Sequence, residues 1–334
     1  MFEGYKVVVV TPAGRRRYMK LLVPQVLASP LVERYDIWVN TPDPGDLAFF
    51  DGLARLDPRV NLVRHPEGKP PAIESIGSFH PTACDADSIY IRLDDDIVWL
   101  EPGFFETLLR FRVDHPEFFL VMPLIINNAV CSFLLQSFGK IAATQHLRPA
   151  CMDEFGWRDP YLALDLHRLL IGLIERGETR KLHVKPCEIA LNRFSINSLC
   201  WFGKAMAPFA AKIGKEEEEE LSLLLPMQYD LRNCFVGNTI AAHYAFIFQR
   251  DKVDRSGILE EYRRVLFARA ELRPLLEQAE AIAAAADAAH ADALSGLYVP
   301  PPVPLRHELK VWWRQRPWRK QWKPKARLRP GYPA

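Results

Sequence analysis

Apolar residues along this chain gather in short dense runs, separated by segments in which they recur at helical spacing. Residues 5–10 (YKVVVV), 35–40 (YDIWVN), 60–64, the run opening at Ser88 (SIYIRL), 118–126 and 197–202 are rich in β-branched and aromatic side chains, which predicts buried strands. Residues 15–27, 49–56, 72–82 and 102–112 carry the helical spacing between them, and 161–176 and 258–297 do so later. Residues 238–250 begin as a strand and hold one histidine, His243, among apolar neighbours. Turn chemistry marks 11–14 (TPAG) and 41–46 (TPDPGD). Strands alternating with helices at this pace predict an α/β fold with a mainly parallel sheet covered on both faces. Ligands of such sheets lie beyond the carboxyl ends of the strands, where 11–17 and 94–96 are both expected.

Composition adds bounds. At 334 residues, with 49% hydrophobic and 25% charged side chains, the chain has the make-up of a globular protein of one large or two modest domains. No apolar run is long enough to span a bilayer and the first residues lack a signal-peptide layout, so a cytoplasmic location is expected. The six cysteines, at 84, 131, 151, 187, 200 and 234, show no CxxC spacing and read as core thiols. The net charge of +2 hides an asymmetry: residues 306–334 hold ten Lys or Arg against one Glu, which leaves the preceding body near −7. No GxGxxG dinucleotide fingerprint and no internal repeat is present.

The stretch with most chemical content is Leu93-Asp94-Asp95-Asp96-Ile97. Adjacent carboxylates repel and raise one another's pKa. A divalent cation held by oxygen ligands compensates for that; a hydrated strand-to-loop corner is the plainer alternative. A hard cation held by few protein carboxylates keeps open positions and prefers phosphate oxygens, which points to a nucleoside diphosphate and to group transfer from a nucleotide.

Ile91-Arg92-Leu93-Asp94-Asp95-Asp96-Ile97-Val98, following an N-terminal strand, turn and helix, resembles the DxD motif of GT-A fold glycosyltransferases, and the resemblance in architecture and motif order runs over about residues 5–250. It implies a GT-A, Rossmann-like, mixed and mainly parallel sheet flanked by helices, with a catalytic domain over 1–255 (nucleotide half 1–100, acceptor half 101–255). Residues 148–186 match no part of that pattern and read as an insertion or acceptor-side lobe, followed by a helical extension over 256–297 and a Pro-rich linker with a basic aromatic tail over 298–334. The resemblance further implies Mn2+ or Mg2+ at Asp96 and Asp94, with Asp95 less committed, and His243 as a third ligand. Nucleotide contacts are implied for Thr11, Pro12, Ala13, Gly14 and Arg15, with Asn40 and Lys69 as further candidates. An acidic residue of the second half would act as catalytic base. The run from Glu216 to Glu220 lies in that region, with Glu218 first and Glu217 second, and a solvated acidic helix start is the alternative for the run.

The reaction so implied is transfer of a sugar from a nucleotide-sugar donor to a glycan or lipid-linked acceptor. A sugar nucleotidyltransferase is the close alternative, and a non-catalytic membrane- or nucleic-acid-binding protein the distant one. In the tail, Trp312, Trp313, Trp318 and Trp322 alternate with basic residues, a composition that suits an anionic membrane surface at the inner face. Nucleic acid is disfavoured by the acidic body.

Overall fold

The computed structural model describes residues 1–66, 68 and 71–291; Lys69, the Pro-rich linker and the basic aromatic tail lie outside the described residues. Nine strands form one sheet: β1 (Lys6–Ala13), β2 (Arg34–Val39), β3 (Val60–Val63), β4 (Ser88–Leu93), β5 (Ile97–Leu100), β6 (Leu120–Ile126), β7 (Cys187–Ile189), β8 (Ser198–Phe202) and β9 (Asn233–His243). Their order is β3-β2-β1-β4-β8-β6-β9-β5, with β7 on β9. β1, β2, β3, β4, β6 and β9 point one way and β5, β7 and β8 the other, so the sheet is mixed and mainly parallel, as expected.

The longer helices are α1 (Arg16–Leu27), α2 (Pro44–Leu56), α3 (Phe104–Asp114), α4 (Ala129–Ser137), α5 (Pro160–Glu175), α6 (Ile258–Phe267) and α7 (Arg273–Ala289). They cover two separate apolar layers. Alternation along β1 sends Val8 and Val10 to one layer and Val7 and Val9 to the other, which is what burial on both faces demands.

Several elements depart from the sequence reading, each for a local reason. β1 runs on through Thr11, Pro12 and Ala13, paired with β2 as far as Ala13↔Val39, while its pairing with β4 stops at Val10↔Arg92. The free edge beyond Val10 tolerates the proline, which has no N–H to offer a ladder. α2 begins inside the expected turn because the Asp43 carboxylate accepts the Asp46 N–H (2.9 Å) and Pro44 stands at the first helical position. Residues 73–82 form 3-10 turns rather than an α-helix, and Gly77 there is so close to the Gly214 carbonyl that a Cβ would sit 2.1 Å from it. α4 was not foreseen; its signal is Asn128, whose side chain caps it through the Cys131 N–H (3.1 Å).

The apolar run from Ser88 to Leu100 is divided by the acidic triplet. β4 pairs with β1 and β8, whereas β5 leaves for the far edge and pairs with β9. α7 closes over the start of the chain. Its Ile282 fills the space a Cβ on Gly52 would take, and its Asp287 pairs with Arg16 at 2.7 Å. Inside α5, His167 is fully buried between the Tyr262 hydroxyl of α6 and the Tyr244 carbonyl just after β9, each at 2.8 Å; burial pushes its pKa down to about 4. No helix among the described residues is long and apolar enough to cross a membrane.

Candidate active site at the acidic triplet

The triplet occupies the tight turn between β4 and β5, closed by the Ile97 N–H donating to the Asp94 carbonyl (3.1 Å). Three neighbouring elements deliver partners to it. α1 begins immediately after β1, β4's neighbour, and so places Gly14 and Arg15 beside the turn. β9 pairs with β5 in the register Ile97↔His243, which sets His243 next to Asp96. β8 pairs with β4 as far as Leu93↔Ser198, bringing Asn197 against Asp94.

Each carboxylate then has its own environment. Asp95 is 3% exposed and ties the first turn to the sheet: it accepts the Gly14 N–H at 2.9 Å and the Arg15 Nε–H at 2.9 Å, with a second contact from the same guanidinium. Asp96, also 3% exposed, faces three cationic or potentially cationic groups: Arg15 at 2.9 Å, His243 at 3.4 Å and Arg250 at 3.7 Å. Asp94 is turned away from those groups, with one oxygen on Arg92 (3.0 Å) and the other on the Asn197 amide (3.2 Å). Arg92 in turn reaches the buried Glu217, which also accepts from His80 Nε2 at 2.6 Å.

Burial raises all of these carboxyl groups, and the local cations decide which stay raised. Asp96 is held well below the usual carboxylate range because Arg15, His243 and Arg250 together outweigh its burial. Burial leaves Asp95 and Asp94 raised despite Arg15 and Arg92, respectively, and Asp96 adds like-charge repulsion to both. Glu217 is lowered, its burial overcome by Arg92 and His80. Four carboxylates thus meet three guanidinium groups and two histidines.

His243 gives the sharpest test of whether a cation fits. Its Nδ1 lies 3.1 Å from the Asn127 carbonyl, which can only accept, so Nδ1 carries a hydrogen. Nε2 faces an Asp96 oxygen 3.4 Å away, so a proton or a metal ion belongs between the two. Two ligands of one octahedral ion, each at about 2.1 Å, stand about 3.0 Å apart, close to this separation. A backbone carbonyl fixing the tautomer of a ligating histidine is a regular outer-shell arrangement. Asn127 itself adopts a left-handed conformation (φ 62°) and is anchored by Tyr244 and Gln249. Asp96 and His243 are the pair whose donor chemistry suits a hard divalent ion, but the same Asp96 oxygen also faces Arg15 and Arg250, and Asp94 is held by Arg92 and Asn197. Among the described residues no group of three His, Cys, Asp or Glu side chains converges as a metal set.

The remaining candidates are more dispersed. Thr11, Pro12 and Ala13 are buried within β1, and the Thr11 hydroxyl bonds with that of Tyr35 (3.0 Å), so Gly14 and Arg15 are the residues of this run that emerge at the crevice. A Cβ on Gly14 would stand 3.2 Å from the Asn40 carbonyl, so the turn is close to its neighbour strand. The Asn40 side chain clamps Ala72, donating to its carbonyl and accepting its N–H, both at 3.1 Å. Glu218 and Glu219 pair with Arg193 at 2.9 and 3.0 Å and are partly exposed. Arg15, Arg92 and Arg250 were absent from the sequence expectations as partners of the triplet. Arg92 had a signal, since a charged residue within an otherwise apolar strand requires a buried counter-charge.

No family model matches the chain, and no curated protein matches it. Solved structures similar to it include CMP:2-keto-3-deoxy-manno-octonic acid synthetase complexed with CTP (12% identity, 77% of this chain and 99% of that one, TM-score 0.43). Another is the 4-diphosphocytidyl-2C-methyl-D-erythritol synthase of Anaerococcus prevotii (8%, 76% and 97%, TM-score 0.41). A third is the glucosyl-3-phosphoglycerate synthase of Mycobacterium tuberculosis in complex with Mn2+, UDP-glucose and phosphoglyceric acid (13%, 79% and 79%, TM-score 0.40). Likenesses this distant leave the chemistry of the site to be read from its own residues.

Proposed function

We propose that this protein is a glycosyltransferase of the GT-A kind, moving a sugar from a nucleoside-diphosphate sugar to a glycan or lipid-linked acceptor. The observation that carries the reading is the meeting, at the carboxyl ends of two adjacent parallel strands, of a helix-opening glycine and arginine with Asp95 and Asp96, and of His243 with the same Asp96. The start of α1 and the Arg15 guanidinium, which in this structure hold the Asp95 and Asp96 carboxylates, are the groups assigned to exchange those oxygens for the diphosphate's. The Asp96–His243 pair beside them supplies the complementary cation site, so a diphosphate and a divalent ion are accommodated side by side.

Mn2+ or Mg2+ is assigned to Asp96 and His243. When bound, such an ion neutralises charge developing on the departing diphosphate. Asp94 acts one step back: with Asn197 it steadies Arg92, and Arg92 is fixed from its other side by Glu217. Glu217 is thereby a positioning residue, its proton affinity lowered and its oxygen occupied. Glu218, partly exposed next to it, is the residue assigned to take the acceptor hydroxyl's proton. Gly14, Arg15 and Lys69 are assigned to the diphosphate, and Asn40 to the nucleoside side. A nucleotidyltransferase needs a longer glycine- and lysine-rich first loop to cradle a triphosphate; here β1 takes up Thr11 to Ala13 and leaves a short turn.

Binding of nucleoside diphosphates and triphosphates, with and without Mn2+, to the wild type and to Asp96→Ala tests this directly. Diphosphate-selective binding that needs the metal and vanishes in the variant is expected. Binding indifferent to metal and to Asp96→Ala contradicts the reading. Placement of the acceptor at a membrane rests on the composition of the tail: removal of residues 306–334 should lower association with anionic liposomes and spare donor hydrolysis, and unchanged association rejects it.

A further inference from the structure

Next to His243 stands a row of aromatic rings that the reading above leaves unused. Phe246 lies against the His243 ring (centroids 4.5 Å apart), Trp157 is next at 6.5 Å, and Phe248 meets Trp157 edge-on at 4.8 Å. Arg158 lays its guanidinium over both Trp157 and Phe248, 5.0 and 4.9 Å from their centroids. All four side chains are half-buried, and the Arg158 guanidinium has no hydrogen-bond or ion-pair partner among the described residues. Trp157 and Arg158 come from the stretch over 148–186, which the sequence left open between an insertion and an acceptor-side lobe.

The row is built, not incidental. Gln249, fully buried, accepts from the Asn127 amide (2.9 Å) and from the Phe246 N–H (3.1 Å) and donates to the Asp159 carbonyl (3.5 Å). One side chain thus links the residue that fixes the His243 tautomer to both loops carrying the rings. The loop before Trp157 is pinned as well: a Cβ on Gly156 would lie 2.7 Å from Ala129 Cα, and the buried Asp153 accepts the N–H groups of Phe155 and Gly156, each at 3.0 Å.

We propose that Trp157, Phe246 and Phe248, with Arg158, form the binding site for the acceptor and that the acceptor presents a pyranose ring there; this rests on the glycosyltransferase reading. Exposed aromatic faces carry negative charge density, as their attraction for the Arg158 guanidinium shows. The C–H face of a pyranose, made positive by its ring and hydroxyl oxygens, suits them in the same way. The N–H groups of the Arg158 guanidinium, which lies over two of the rings and has no hydrogen-bond partner among the described residues, suit the hydroxyls. The position argues for acceptor over nucleobase, because the turn assigned to the nucleotide lies at β1 and β2, while the rings lie at the ends of β6 and β9 beyond Asp96 and His243.

The test uses the full chain and two independent readouts: saturation-transfer NMR with methyl glucoside, galactoside, mannoside, N-acetylglucosaminide and glucuronide, and calorimetric titration with UDP and GDP in Mn2+. Expected is saturation of ring C–H protons of at least one pyranoside, with affinity about tenfold lower in Trp157→Ala, less reduced in Trp157→Phe, and diphosphate affinity within about twofold of wild type. Phe248→Leu and Trp157→Phe keep apolar volume and decide the matter where circular dichroism shows Trp157→Ala unfolded. No saturation of any pyranoside, or equal saturation in all variants, overturns the inference. Loss of diphosphate rather than pyranoside binding in the variants also overturns it, and makes the row a base-stacking surface. Pyranoside binding that depends on Trp157 in a protein that binds no diphosphate supports the sugar site and removes the donor reading alone.

Discussion

Two acidic runs of this chain meet opposite fates. In the triplet Asp94 to Asp96, all three carboxylates are held by specific partners, and no two share the same set. In the run Glu216 to Glu220 only Glu217 goes inward; Glu216 is exposed, Glu218 and Glu219 share Arg193, and Glu220 accepts the Gly214 N–H at 2.5 Å. The backbone explains the contrast. A helix turns successive side chains around its axis and lets a run of like charges fan out to solvent. A tight turn between two buried strands has no such outlet, and each carboxylate must be answered by a specific group. Acidic runs therefore gain chemical meaning from the backbone that carries them, and Arg92 is the residue through which these two communicate.

That link predicts the largest effect. Arg92→Ala removes the guanidinium between Asp94 and Glu217 and leaves only His80 on Glu217, and stability should fall by about 3–5 kcal/mol in chemical denaturation. A fall below about 1 kcal/mol would show that the two runs are independent. The same pair has a pH signature. Glu217 is lowered from its ordinary 4.5, since Arg92 and His80 outweigh its burial, so the unfolded chain binds its proton more readily than the folded one. Its contribution to stability is complete above that value and is lost as the pH falls below it. In Glu217→Gln this part of the acid slope should disappear.

Within the glutamate run the comparison sharpens into kinetics. Glu218→Gln should lower sugar transfer about 100-fold, about 2.7 kcal/mol of barrier, and leave the midpoint of unfolding in place. Loss of stability without loss of transfer would return Glu218 to a structural role. At the triplet's other edge, Gly14→Ala crowds the Asn40 carbonyl at 3.2 Å and should cost about 1 kcal/mol of stability. The smallest effect belongs to Glu216→Gln, an exposed position, where a change within about 0.5 kcal/mol is expected.

The same contrast marks what was legible in the sequence. The parallel strands of the first hundred residues stood out because burial on both faces makes them continuous β-branched runs, and the triplet stood out because nothing apolar accounts for it. The expected location of His243 rested on a resemblance, and its partner Asp96 became visible only through the pairing of β5 with β9, whose register joins Ile97 to His243, 146 residues further on, a contact that no local pattern encodes. Thr11 to Ala13 looked like a turn because it contains a proline and is followed by a glycine, yet one free strand edge was enough to keep it in the sheet. The partition of the triplet was hidden for a related reason: Asp94, Asp95 and Asp96 are chemically identical, and only Arg92, Arg15 and His243, brought from three different elements, distinguish them. Asn127 and Gln249 are polar residues among apolar ones whose hydrogen-bond needs were a usable signal, but their partners lie on other loops.

The partition of the triplet is also the claim most open to direct measurement. Titration of Mn2+ in the presence of a nucleoside diphosphate, followed by electron paramagnetic resonance of the free ion, compares Asp94→Asn with Asp96→Asn in the intact chain. If Asp96 holds the ion and Asp94 holds Arg92, Asp96→Asn should weaken Mn2+ binding about 100-fold and Asp94→Asn by less than about tenfold. Equal losses in the two variants, or wild-type protein that takes up no Mn2+, would contradict the account.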